Sequence, residues 1–216
     1  GASVTVVTDD DAELAQTCAD ELGAWIYERR VQWHLPRRST QQVLEQVHED
    51  AVFPVILADR DDNTGGGSPG DSTGMLRAFM EAGLRDACVL YMVDPESVAA
   101  CHAAGVGATV DLQVGGKSSP VQGEPVPMQA AVVSVSDGLF RYDGPMYAGL
   151  EASMGPSAHI EQDGLHVLLV TIREQPFDTA FCRTLDLDPQ KMRYVGVKSA
   201  AHFRSGFESW AGAVHL

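Results

Sequence analysis

The side chains best suited to chemistry gather in a polar, glycine-rich stretch at residues 59–73. The stretch reads Asp-Arg-Asp-Asp-Asn-Thr-Gly-Gly-Gly-Ser-Pro-Gly-Asp-Ser-Thr, and it separates an apolar run at 53–58 from a helical pattern at 75–80. Glycine permits positive φ and leaves backbone N–H groups unscreened, and a helix N-terminus adds free donors and a positive dipole end. The pattern therefore predicts a strand, a loop and a helix that together suit an anionic group.

Two familiar nucleotide-binding loops do not fit this stretch. Gly65, Gly67 and Gly70 spell G-x-G-x-x-G, but six polar residues follow Ala58 before the first of them. The dinucleotide fingerprint needs its glycines in the first tight turn after the strand. Asp71 stands where a phosphate-binding P-loop has its lysine, and its charge would repel phosphate. We therefore expect neither a dinucleotide nor a nucleoside triphosphate here.

The aspartates of the loop have two open interpretations. They are Asp59, Asp61, Asp62 and Asp71. They could approach a hard cation, but their spacing does not match a calcium-binding loop. Because Asp, Asn and Gly are the usual turn and cap residues, a structural role is the first interpretation. The second is contact with a substrate or a neighbouring domain through Asp62, Asn63 and the amides of residues 65–67.

Lys198 and His202 follow directly on a predicted strand at 194–198, at the edge where open α/β sheets bind ligands. Lys198 could neutralise a substrate carboxylate, and His202 could donate a hydrogen bond or transfer a proton near neutral pH. Alternatively, Lys198 pairs with the acidic loop and His202 is a core histidine. The sequence leaves both interpretations open. Both residues are candidate catalytic residues.

A zinc site requires converging His, Cys or carboxylate ligands, and the histidines of this chain show no such spacing. The seven are His34, His48, His102, His159, His166, His202 and His215. No pair is separated by four residues, the spacing that places two imidazoles on one helix face. His48-Glu49 also lacks the second histidine of H-E-x-x-H. We therefore expect no metal site held wholly by this chain.

Four motifs occur in an order that resembles the C-terminal domain of the MlrC-like proteins. The stretch at 62–73 is similar to the signature DN-x-GGG-x-x-GD-x-T of that family, with Thr64 where a proline is expected. The other three are Gly144-Pro145-Met146-Tyr147 with Gly149-Leu150, then Gln175-Pro176-Phe177-Asp178, then Val197-Lys198-Ser199-Ala200-Ala201-His202-Phe203-Arg204. Together they cover residues 51–216, and four motifs in sequence are more specific than one.

This resemblance implies the C-terminal domain of a zinc-dependent peptidase or amidohydrolase, in a family whose substrates include linearised microcystin. It also implies that the zinc ligands belong to an N-terminal domain outside this sequence, so that the chain alone would be inactive. Whether this chain is itself an enzyme stays open. The loop residues expected to contact a peptide or small amide substrate are Asp62, Asn63, Gly65, Gly66, Gly67, Asp71 and Thr73. The alternative function is a non-catalytic module that captures a small anion or joins subunits into a homo-oligomer.

The composition is that of an ordinary soluble protein. Hydrophobic residues make up 44% of the 216 residues, and the net charge is −15. This charge argues against nucleic acid and anionic membrane surfaces as partners, and no apolar run reaches membrane-spanning length. The four cysteines form no C-x-x-C pair, which indicates reduced thiols in a cytoplasmic protein. Since no initiator Met or signal peptide is present, we expect a fragment of a longer protein.

The hydrophobic pattern predicts alternating strands and helices with two hairpins between them. Strands are expected at 3–8, 53–58, 88–93, 108–114 and 194–198. Helices are expected after the aspartates at 9–11, at 41–49, at 72–82, from Asp94-Pro95 to Gly105, and at 177–185. Hairpins are expected around Asp137-Gly138, joining 126–136 to 139–142, and around Asp163-Gly164, joining 158–162 to 165–172.

These elements predict a single α/β domain over residues 1–216. Its sheet should be mainly parallel and flanked by helices, because alternating strands and helices form right-handed crossovers. An antiparallel, β-rich excursion is expected at about residues 120–172. Residues 1–50 are expected to be a strand–helix–helix lead-in from a preceding domain.

Overall fold

A computed structural model describes residues 2–33, 38–47 and 52–216 of the chain. The chain divides into two compact units, residues 1–37 and residues 38–216. Among the described residues, no helix is both long enough and apolar enough to cross a membrane.

The first unit consists of one long helix, α1 (Ala12–Glu28), followed by a 3-10 turn at Arg30–Trp33. Asp11 caps the helix as the sequence predicts, because its carboxylate accepts a hydrogen bond from the Leu14 N–H at 2.9 Å. The strand predicted at 3–8 is wrong, since these residues form no regular secondary structure. A strand requires a partner for its backbone groups, and alternating side chains alone do not supply one.

The second unit is built on an eight-stranded sheet, as the sequence predicts for an α/β fold. Its strands are β1 (Val55–Ala58), β2 (Ala87–Val93), β3 (Thr109–Val114), β4 (Val126–Ser136), β7 (Ser157–Gln162), β8 (Leu165–Val170), β9 (Tyr194–Val197) and β10 (Ala213–His215). Their order across the sheet is β10-β1-β9-β2-β8-β7-β4-β3. The first five run parallel, and β7, β4 and β3 follow in antiparallel pairs.

Helices cover both faces of this sheet. They are α2 (Thr40–Val47), α3 (Gly74–Glu81), α4 (Pro95–Ala104), α5 (Ala180–Arg183) and α6 (Arg204–Phe207). One core cluster joins Val55 and Leu57 of β1 to α2, α3 and α4, and another joins Ile56 and Ala58 to α5 and α6. Successive side chains of a strand point to opposite faces, so a strand that is apolar throughout lies between two packed layers.

The predicted hairpin around Asp163-Gly164 is confirmed, whereas the one around Asp137-Gly138 is wrong. In the first, φ is +54° at Asp163 and +84° at Gly164, as a two-residue turn requires, and β7 pairs with β8. In the second, β5 (Leu139–Arg141) leaves β4 and pairs with β6 (Glu151–Ser153) in a separate two-stranded sheet. The long strand β4 pairs instead with β3 and β7, and its alternate apolar side chains lie in the core cluster that also contains residues of α4.

The structure changes the pairing, the bounds or the order of four further predicted elements. The strand at 108–114 was expected to be parallel, but β3 lies at the sheet edge and pairs antiparallel with β4. The helix at 177–185 is shortened to Ala180–Arg183: Thr179 is its N-cap residue, and the Asp178 carboxylate before it accepts a hydrogen bond from the Ala180 N–H at 2.6 Å. The strand at 194–198 is not the last, since β10 returns to pair with β1. The helix predicted at 41–49 spans Thr40–Val47, and residues 48 and 49 lie outside the described residues.

Candidate functional site

The glycine-rich loop lies at the edge of the sheet where parallel strands end. Strands β1 and β9 are neighbours, and β9 in turn lies next to β2. Their carboxyl ends therefore bring together the loop at 59–73, the turn that begins at Lys198, and Asp94 at the end of β2. Ligands of open α/β sheets bind at this edge. The candidate residues identified in the sequence therefore lie where such sheets bind ligands.

A buried ion pair holds the loop to the end of β9. The Lys198 Nζ lies 2.8 Å from Asp62 Oδ2, and the exposed fractions of the two side chains are 0% and 2%. The ammonium also donates to the Ser72 carbonyl oxygen at 2.9 Å and to the Ser72 hydroxyl at 2.8 Å, and Asp59 Oδ2 lies at 3.5 Å. Three short bonds use all three protons of the ammonium. This geometry favours the loop-bracing interpretation of Lys198 over contact with a substrate.

The Asp62 carboxylate is kept ionised by the groups around it. Burial alone would raise its pKa, but the Lys198 charge and hydrogen bond, together with the Ser72 and Gly70 N–H groups, lower the pKa overall. Those N–H groups donate to the two oxygens at 2.7 Å and 2.8 Å. Both oxygens of Asp62 are therefore occupied, by N–H groups of the loop and by Lys198.

The glycine amides donate inside the loop. The Gly65 N–H donates to Asn63 Oδ1 at 3.2 Å, the Gly66 N–H to the Asn63 carbonyl oxygen at 2.9 Å, and the Gly67 N–H to the Thr64 carbonyl oxygen at 3.0 Å. A bound anion would have to displace these acceptors. The expectation of an open cradle of N–H groups therefore does not agree with this geometry.

Asp71 and Thr73 hold a second segment against the loop. Asp71 accepts hydrogen bonds from the Lys117 and Ser118 N–H groups at 2.9 Å and 2.8 Å, and from the Ser118 hydroxyl at 2.6 Å. The Thr73 hydroxyl donates to the Glu124 carbonyl oxygen at 3.0 Å. Both residues are buried. They brace the chain at 115–124, and the structure brings neither to the surface of the loop.

His202 is exposed and lies beside the loop, so the core-histidine interpretation is wrong. Its Nδ1 is 2.6 Å from Gln175 Nε2. An amide nitrogen only donates, so Nδ1 accepts and the ring proton lies on Nε2. The Gln175 side chain also packs against Gly65, where a Cβ atom would collide with it. His202, Gln175 and the glycine loop are therefore one contiguous group.

The remaining motifs interlock through a buried carboxylate. Asp178 Oδ2 accepts hydrogen bonds from the Gly144 N–H at 2.7 Å and the Asp143 N–H at 3.2 Å. A Cβ atom at Gly144 would stand 2.7 Å from that oxygen, so the approach requires glycine. The Ser205 hydroxyl donates to the Phe177 carbonyl oxygen at 3.0 Å. The motif at 175–178 is visible in the sequence, but the roles of Gln175 and Asp178 are not, because their partners are distant along the chain.

A cleft of about 340 Å³ lies next to the loop and was not predicted. It is lined by Pro69, Asp71, Val93, Asp94, Pro95, Glu96, Lys117 and Ser118. Lys117 Nζ lies 2.8 Å from Asp94 Oδ1, inside this lining. The sequence identified Asp94 only as a helix cap, which it also is, because it accepts from the Ser97 N–H at 3.1 Å. The signal that was missed is Lys117, which follows the glycine pair at the end of β3.

The residues of this loop do not fit a zinc site. Among the described residues, no group of three or more His, Cys, Asp or Glu side chains is arranged to hold a metal ion. The oxygens of Asp62 and Asp71 are occupied by N–H, hydroxyl and ammonium donors, and His202 is the one imidazole beside the described loop. No step of a reaction is therefore assigned to a metal held by these side chains.

Comparison with known proteins identifies the family. Residues 57–216 match the family model described as MlrC C-terminus. The chain belongs to this family. Microcystinase C of Sphingomonas sp. is 30% identical to this chain over an alignment of 214 residues. The alignment covers 96% of this chain and 40% of the relative. A crystal structure from Mesorhizobium sp. BNC1, provisionally described as a metallopeptidase, superposes with a TM-score of 0.78 at 25% identity.

The MlrC C-terminus is therefore only part of the proteins it resembles. The Mesorhizobium structure covers 92% of this chain, and this chain covers 40% of that structure. The family match begins at residue 57, within β1, and includes all four sequence motifs. The resemblance inferred from those motifs is confirmed.

Proposed function

We propose that this chain is the C-terminal part of a zinc-dependent peptidase or amidohydrolase of the MlrC type. Its glycine loop and the His202–Gln175 pair would form one wall of the substrate cleft. Zinc would be held by residues that precede this chain in the longer protein. Support comes from the similarity to microcystinase C and from the share of that protein, 40%, that this chain covers.

The observation that carries the proposal is the state of His202. Gln175 fixes its Nδ1 as an acceptor, which leaves an exposed ring with a proton on Nε2. Such a ring can donate a hydrogen bond from Nε2 to a substrate carbonyl oxygen. The ion pair of Lys198 with Asp62 sets the position of the loop. The exposed imidazole of His202 is the group that would contact the substrate.

Each predicted substrate-binding residue has a definite part in this proposal. Half-buried Asn63 and the exposed residues 65–67 form the rim, where a peptide backbone could contact them. Asp62, Asp71 and Thr73 lie beneath the rim and hold its shape through buried hydrogen bonds. When zinc is bound by the longer protein, it supplies Lewis-acid polarisation of the carbonyl group. This chain supplies binding, orientation and the hydrogen bond from His202 Nε2.

Capture of a small anion is the weaker alternative, because the glycine amides already donate to Asn63 and Thr64. We further propose a reducing, cytoplasmic environment. Cys88, Cys101 and Cys182 are buried free thiols, and burial raises the pKa of Cys88 and Cys182 well above the ordinary value for a thiol. Such thiols remain protonated and inert.

The test is the rate of peptide hydrolysis by the full-length protein with His202→Ala. Removal of one donor to a developing oxyanion costs about 10²–10³-fold in rate, so kcat/KM should fall by at least about tenfold. His102→Ala is the matched control, because His102 is also exposed but lies on α4. An unchanged kcat/KM in His202→Ala would overturn the assignment of this wall.

A further inference from the structure

One face of α1 is apolar along the whole helix. With 3.6 residues per turn, the apolar side chains fall within an arc of about 120°. They are Leu14, Cys18, Leu22, Trp25 and Ile26. The opposite side carries Glu13, Gln16, Asp20 and Tyr27. This is the pattern of a helix that packs one face against an apolar partner.

The apolar face of α1 is solvent-accessible. Leu14, Leu22 and Trp25 have exposed fractions of 50%, 49% and 48%, and no residue of the helix is buried. Within the described part of the first unit, the aromatic contact of this face is with Trp33, whose ring centroid is 6.1 Å from that of Trp25. Most helices owe their stability to packing of such a face, so a water-exposed face is costly.

The relatives indicate what is missing. The alignment to microcystinase C covers 96% of this chain, which leaves too few residues outside it to omit the 17 residues of α1. The same alignment covers 40% of microcystinase C, so most of that protein has no counterpart here. A helix retained beside a large absent region is a candidate contact for that region.

We propose that the face defined by Leu14, Leu22 and Trp25 docks against the region that precedes the MlrC C-terminus in the longer protein. This rests on the proposed function, which also requires that region. The complementary surface should be apolar at its centre, and basic on the side that meets Glu21 and Glu28, which border the face.

A covalently linked partner suits this face better than a second copy. Stable association of separate proteins usually buries about 1,200–2,000 Å², more than a single helical stripe offers. A segment of the same chain acts at an effective concentration of roughly millimolar, so a small apolar contact is sufficient. The occupant is therefore assigned to the longer chain itself.

The first experiment follows Trp25 in the full-length protein and in the 216-residue chain, each carrying Trp33→Phe and Trp210→Phe. These 216 residues hold three tryptophans, and any tryptophan outside them is likewise replaced by Phe, so Trp25 is then the sole reporter. Acrylamide quenching of Trp25 should be several-fold weaker, and its emission shifted to shorter wavelength, in the full-length protein. Equal quenching in the two proteins would overturn the proposal.

The second experiment measures association of the 216-residue chain with the preceding region, produced as a separate polypeptide and titrated to roughly millimolar concentration to match the effective concentration within one chain. Leu22→Glu should weaken binding by at least tenfold, whereas Tyr27→Glu, which alters the opposite side of α1, should not. Circular dichroism checks that the two variants have the same helix content, so that a difference in binding is not caused by unfolding. Equal weakening by both, or a homodimer that Leu22→Glu dissociates, would overturn the proposal. Binding that responds as expected, without any peptide hydrolysis, would instead contradict the proposed function alone.

Discussion

Lys198 Nζ and Asp62 Oδ2 lie 2.8 Å apart in an environment closed to solvent, although 136 residues separate them along the chain. Lys198 directly follows β9, and Asp62 lies in the loop that follows β1. The pair thus joins the carboxyl ends of two adjacent strands. It determines where the glycine-rich rim stands relative to the turn that carries His202.

Removing the lysine should unfold this edge of the sheet. Lys198→Met leaves the Asp62 charge buried without its partner, and breaking a buried pair in this way costs about 3–5 kcal/mol in the free energy of unfolding. Lys191→Met is the control, because its pair with Asp188 is exposed and such pairs contribute about 0–1 kcal/mol. Urea denaturation of both variants measures the difference. Equal midpoints would contradict the bracing role of Lys198.

Alanine substitutions at two glycines of the loop allow the cost of backbone strain to be distinguished from the cost of a steric collision. Gly67 and Gly70 both have positive φ, at +94° and +85°. Gly67→Ala meets nothing within 4 Å and should cost only the backbone term of about 1–2 kcal/mol. Gly70→Ala also meets Thr64 Cγ2 at 2.6 Å and Val93 Cγ2 at 2.8 Å, which adds roughly 1–3 kcal/mol. Thermal denaturation should therefore rank Gly70→Ala as the less stable variant, and the reverse order would be inconsistent with this loop geometry.

A buried histidine pair should make the protein sensitive to acid. His159 Nδ1 donates to the Leu185 carbonyl oxygen at 2.9 Å, so its Nε2 accepts from His166 Nδ1, also at 2.9 Å. Burial is the main cause that lowers the pKa of His159 to about 4 from 6.5. The unfolded chain therefore binds a proton first as the pH falls. The free energy of unfolding should decrease between about pH 6.5 and pH 4, by on the order of 3 kcal/mol.

The check on the histidine pair is the slope of stability against pH. His159→Gln should flatten the decrease between pH 6.5 and pH 4, whatever its effect at pH 7. His102→Gln should keep the slope of the unaltered chain, because His102 is exposed on α4. An unaltered slope in His159→Gln would assign the acid sensitivity to other groups.

Zinc content gives a separate prediction. Since the described carboxylates of the loop are occupied by hydrogen-bond donors and by Lys198, the 216-residue chain should retain less than one zinc per chain after zinc exposure and exhaustive dialysis. Elemental analysis measures this ratio. One tightly held zinc per chain would reveal a site that the geometry does not show, and Asp59→Ala with His202→Ala would then locate it.

The sequence correctly predicted those elements that are specified by capping or turn residues only a few positions away. Asp94 before Pro95 starts α4, and Asp163-Gly164 forms a hairpin turn, because caps and tight turns depend on neighbouring residues. The pairing of β4 with β7 and the return of β10 to β1 could not be predicted, since they depend on which distant strands complete the sheet. The strand expected at 3–8 failed for the same reason.

The candidate site shows the same division. The position of the loop at the carboxyl end of β1 followed from the order of strand and helix. The partner of each polar group did not follow. Lys198 reaches Asp62, Asp71 reaches Ser118, and Asp178 reaches Gly144, each across at least 34 residues. The glycine amides were expected to be free because the sequence does not show that the Asn63 side chain and the carbonyl oxygens of residues 63 and 64 accept hydrogen bonds from them.

The most direct test of the account is the rate of hydrolysis of a linear peptide by the 216-residue chain, alone and after addition of the preceding region with zinc. The account predicts no turnover by the chain alone, and turnover once the two parts are combined. Hydrolysis by the chain alone, at the rate of the combined parts, would contradict the claim that this MlrC C-terminus supplies one wall of a cleft whose metal is held elsewhere.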